Sequence, residues 1–172
     1  MTNKQVRIGC ASAFYGDSQL SARQLVDSGD IQYLVFDYLA EVTMAILSQA
    51  KAKNENLGYA VDFVTVAMKD VLADCAEKGI KVIANAGGVN VPSCILALQS
   101  LCKELDLSLN IAGVYGDDLS SEISELPIEK LTENQSGEPL PEKLSSINAY
   151  LCAQPIVDAL NAGADVVVTG RV

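Results

Sequence analysis

Three segments of the chain repeat one order of residues: an amphipathic stretch, a glycine, then a short apolar run rich in β-branched side chains. They are ARQLVDSGDIQYLVFD, LADCAEKGIKVIANA and VDALNAGADVVVTG. Gly29, Gly79 and Gly163 stand where a helix end takes a left-handed residue, so each segment predicts a helix that stops and a strand that follows. The runs YLVF, KVIA, NIAGVY and DVVV are continuously apolar, as expected of strands covered on both faces of a parallel sheet. With RIGC near the start they predict five strands. The expected fold is one α/β domain over residues 1–172, a mostly parallel five-stranded sheet with helices on both faces in three αβα layers.

Two helical stripes support this. Val64, Ala67, Met68, Val71, Leu72 and Cys75 recur at helical spacing before Gly79, and Ile95, Leu98, Leu101, Cys102 and Leu105 do so after NAGGVN. Each is a single face that needs a sheet to cover. At 172 residues and 49% hydrophobic, the chain has material for one sizeable core. Between Gly116 and Leu144 the pattern lapses. The excursion at 117–145 holds Asp117, Asp118, Glu122, Glu125, Glu129, Glu133, Glu138 and Glu142 against Lys130 and Lys143, and reads as a solvated loop with at most a short helix.

A net charge of -10 with scattered lysines and arginines repels phosphate backbones, so no nucleic-acid partner is expected. No apolar run approaches the roughly 20 residues of a membrane span, and the N-terminus lacks a signal-peptide core, so the expected setting is cytoplasmic. Five widely spaced cysteines without a CxxC pair suit reduced thiols, and the lack of histidine excludes histidine triads and histidine-bound zinc. Val172 follows DVVVTG and Arg171 where a covering helix is expected. An uncovered terminal strand would expose apolar surface, so the chain is expected to be the N-terminal part of a longer domain.

If the strands are parallel, whatever follows each one converges on the carboxyl edge, where ligands of such sheets bind. Those residues are Ser12 with Gly16 and Asp17; Asp37 with Glu41; Asn85, Gly87, Gly88 and Asn90; Asp117 and Asp118; and Thr169, Gly170 and Arg171. Asp37 and Glu41 would share a helix face if that helix began near Tyr38, giving paired carboxylates for acid/base work, with a divalent metal left open. Asp117 is a third acid/base candidate. Gly87 and Gly88 permit a tight turn and backbone donors for an anion, while Asn90 can cap the next helix. The same residues are explained as a turn and its caps, and no GxGxxG or P-loop fingerprint accompanies them. Asn85, Asp118, Thr169, Gly170 and Arg171 complete the candidate ligand site, and Arg171 suits a carboxylate or phosphate.

The combination of RIGCASAFYGDS, GDIQYLVFDYLAE, CAEKGIKVIANAGGVN, GVYGDD and INAYLCAQPIVDALNAGADVVVTGRV, in this order, resembles the acyclic terpene utilisation family over nearly the whole chain, least in the acidic excursion. Asn148 and Tyr150 are among the matching motif positions. Val91-Pro92 and Cys152 depart from the pattern, which usually runs Asn directly into Pro and places Gly after Tyr-Leu. The resemblance implies a bacterial-type cytoplasmic protein in the breakdown of branched isoprenoid acids as coenzyme A thioesters, often beside biotin-dependent acyl-CoA carboxylases, in a domain that continues past GRV. It assigns no reaction. Two functions are therefore expected to compete: an enzyme acting on a small carboxylate or acyl-CoA, and a non-catalytic binding or assembly subunit of acyl-CoA carboxylase machinery. Either is compatible with a homo-oligomer.

Overall fold

A computed structural model describes residues 5–123, 125, 131–141 and 143–172. Its strands are β1 (Ile8–Ser12), β2 (Tyr33–Phe36), β3 (Lys81–Ala84), β4 (Ile111–Val114) and β5 (Val166–Thr169). All pair in parallel in the order β1-β2-β3-β5-β4. Helices α1 (Ser21–Ser28), α2 (Glu41–Lys53), α3 (Lys69–Lys78), α4 (Val91–Glu104) and α5 (Gln154–Asn161) fill the connections. A six-residue π-helical segment, Phe63–Met68, runs directly into α3. The α/β sheet expected from the apolar runs is therefore present. No helix among the described residues is long and apolar enough to cross a membrane.

The pleat divides the core. Leu34, Phe36, Val82, Ala84, Val166 and Val168 face one layer, formed by α1, the π-helical segment, α3 and α4. All six residues of the stripe before Gly79 are buried there. On the opposite face α5 packs Ile156, Ala159 and Leu160 over Val114, Ala164 and Val167. That cover reaches β4 and β5. On the same face of β2 and β3, Val35 and Ile83 are only half-buried, while Ile8 and Cys10 of β1 are exposed.

Strand β5 lies between β3 and β4 with all four residues buried, while Ile8 and Cys10 of the edge strand β1 are exposed. One expectation needs correction. Gly79 and Gly163 have positive φ, but Gly29 leaves α1 extended at φ -85°. It is needed for space, since a Cβ there would lie 2.3 Å from the Leu25 carbonyl oxygen. In the acidic excursion the described residues form turns and two isolated bridges, Asp118 with Asn148 and Thr132 with Pro139. Glu129, Lys130 and Glu142 lie outside the described residues. All five cysteines are free, and burial pushes the Cys75 thiol up to about 11 and Cys94 to about 12.

Candidate functional site at the carboxyl edge

Because the sheet is wholly parallel, every strand exit named above opens on one edge. Hydrogen bonds stitch neighbouring exits together. The Asn85 amide, after β3, donates to Asp37 Oδ1 at 2.7 Å, and its oxygen accepts the Tyr38 N–H at 2.7 Å. Ser12 Oγ, after β1, donates to the Asp37 carbonyl at 3.3 Å. The Gly87 N–H donates to the Thr169 carbonyl at 3.0 Å, joining the exits of β3 and β5. Asp117, after β4, accepts the Arg171 backbone N–H at 2.8 Å and the Asn148 side-chain amide at 3.0 Å.

The NAGGVN turn is consequently a structural joint. The backbone donors expected to face an anion are engaged within the fold: Gly87 on Thr169, and Gly88 on the Asn85 carbonyl at 3.3 Å. Gly88 has φ +55°, and a Cβ on it would meet Leu47 of α2 and the Gly58 carbonyl, so both backbone conformation and space demand glycine. Asn90 is buried; its oxygen accepts the Ser93 N–H and its amide donates to the Glu55 and Leu57 carbonyls. It caps α4 and anchors the loop after α2. Thr169 is buried with its hydroxyl on the Gly170 carbonyl, and Asp118 Oδ1 accepts the Ser120 N–H.

The carboxylates are also redistributed. Helix α2 begins at Glu41 and not near Tyr38, so Asp37 and Glu41 do not form a pair on one helical face. Glu41 instead meets Arg171, with Oε1 2.6 Å from Nη2. A bond from its own backbone N–H, then the Arg171 charge, hold its carboxyl below the usual range. Asp117 is 4% exposed and clamps the β5 exit. Asp37 is exposed at the exit of β2, with Oδ1 on the Asn85 amide and its other oxygen without a hydrogen-bond partner among the described residues. No group of three or more metal-ligating side chains forms among the described residues.

A groove of two lobes results. One, about 440 Å³, has Val35, Ile83, Ile156 and Val172 on its walls with Asp37 and Asn85 at the strand exits. The other, about 350 Å³, runs past Glu41, Met44, Ser146 and Asn148. Tyr150 and Arg171 line both. The guanidinium carbon lies 4.9 Å from the Tyr150 ring centre, and Nη2 donates to the Tyr150 hydroxyl at 2.6 Å. Tyr150 and Asn148 were not read as site residues; the signal that could have found them is their place among the family-motif positions, in INAYL.

A family model described as acyclic terpene utilisation family protein AtuA matches residues 6–172. No curated protein and no solved structure matches the chain.

Proposed function

The chain belongs to the acyclic terpene utilisation family, and from that premise we propose that its carboxyl-edge groove takes a branched aliphatic carboxylate or its acyl-CoA thioester, as part of an enzyme of isoprenoid-acid catabolism. One observation carries the reading. An arginine sits where an apolar lobe meets a polar one, in a protein of net charge -10 that otherwise repels anions. The branched chain would lie on Val35, Ile83 and Ile156, and its anionic or carbonyl end at Arg171. Asp37, tethered by Asn85 at one oxygen, is the residue placed to accept a proton from a bound acyl group.

Arg171→Ala should weaken binding of a branched acyl-CoA by about 1.5–3 kcal/mol, the range for a hydrogen bond to a charged group. Arg171→Lys should recover only part, because the forked geometry is lost. Titration calorimetry decides it; equal affinities for wild type and Arg171→Ala would remove the anion site. The half-covered second face, with Val6 58% and Ile8 63% exposed, favours a second reading as a binding or assembly subunit. The two part on turnover. Asp37→Asn should abolish it in an enzyme and change nothing in an assembly subunit.

A further inference from the structure

The Glu41–Arg171 pair is lopsided. The Arg171 side chain is 12% exposed, that of Glu41 86%. Arg171 is fixed from three sides: its backbone N–H on Asp117, Nη2 on the Tyr150 hydroxyl, and its guanidinium over the Tyr150 ring. Glu41 has no such support. Among the described residues its carboxylate meets only Arg171 and its own backbone N–H, at the solvent-exposed first turn of α2. Nor does it saturate the arginine, because the buried Nη1 has no hydrogen-bond partner.

From this asymmetry, and resting on the reading of the groove as a carboxylate site, we propose that Glu41 is a displaceable internal counter-ion. It occupies the carboxylate position on Arg171 while the groove is empty, and moves into solvent when a ligand brings its own anion. Its mobility is cheap: the exposed partner regains full hydration, and an ion pair with one exposed member is weak. The fixed partner stays behind, already oriented. A neutral ligand that displaced Glu41 would leave Arg171 half-buried without a counter-charge, so the pair makes the groove demand an anion. The cost of this selectivity is affinity, since apparent binding is scaled by the fraction of molecules in which Glu41 has moved away.

The test uses the 172-residue chain with 3-methylbutanoate and its neutral isostere 3-methylbutanamide as probes in titration calorimetry. Glu41→Gln keeps the length of the side chain and removes its charge. It should tighten 3-methylbutanoate about 2- to 6-fold, the factor by which a competing weak ion pair depletes the open form, and tighten the amide less, because only the acid also escapes repulsion by the Glu41 charge. Glu41→Asp, charged but shorter, should fall between. If wild type binds the acid and Glu41→Gln binds it equally or more weakly, displacement is overturned while the groove reading stands. If neither binds the acid, the groove reading fails and the displacement with it. Equal tightening of acid and amide would make Glu41 a steric cover and overturn the charge argument.

Discussion

Replacing Phe63 by alanine should lower the unfolding free energy by about 3–5 kcal/mol, the range for deleting a buried phenyl group. Phe63 is fully buried in the π-helical segment and meets Phe36 edge-on at 5.2 Å and Tyr38 at 6.1 Å. Phe36 and Tyr38 themselves stack at 5.9 Å, and Tyr15 closes on Tyr38 at 6.3 Å. This cluster brackets Asp37. Its loss should therefore cost ligand affinity as well as stability, because Asp37 sits between two residues that would have room to shift. Urea denaturation measures the first effect. A change under about 1 kcal/mol would mean that the surroundings collapse into the void and that the cluster does not hold the β2 exit.

Asp117→Ala should be nearly as damaging, by about 2–5 kcal/mol, since two donors lose a charged acceptor in a buried setting. Gly170 is pressed against this carboxylate; a Cβ at 170 would lie 2.4 Å from both oxygens. The alanine variant should thus unseat Gly170–Arg171, and affinity for an anionic ligand should fall together with stability. Asp117→Asn, which keeps one acceptor oxygen, should return part of both. Wild-type stability with abolished turnover in Asp117→Asn would instead assign the acid/base role to this residue.

The parts of the fold that were readable came from periodicity. The run VVVT is buried from both sides and KVIA fully on one face and partly on the other, and the stripe from Val64 to Cys75 survives the π-helical turn because its buried positions still fall on one face. Strand order was not readable. Nothing local to Val166–Thr169 distinguishes an interior strand from an edge one, as that depends on which exposed edge the returning chain meets. Convergence at the carboxyl edge followed from parallel pairing alone, so the neighbourhood of Asp37, Asn85, Asp117 and Arg171 was foreseeable. Individual duties were not. Gly87 and Gly88 looked like donors because a glycine turn before a helix resembles an anion cradle; their N–H groups are taken by Thr169 and Asn85, partners 82 and 3 residues away that sequence cannot select. The α2 start at Glu41, three residues later than expected, redirected Glu41 from Asp37 to Arg171.

The place of β5 in the sheet has a consequence for the order of assembly. Strands β1 and β2 pair only with sequence neighbours, and β3 does so on one side, so this half of the sheet can pair early in synthesis. β4 pairs with β5 alone, and β3 keeps one side open until the same strand arrives. A strand made late thus completes two ladders at once, and β4 waits for it across the acidic excursion and α5. Such long-range closure is slow and leaves strand edges open meanwhile. In pulsed hydrogen exchange, amides of Ile111–Val114 should gain protection with those of Val166–Thr169 and not before. Val167, fully buried between the two ladders, is then the residue at which the five described strands come together.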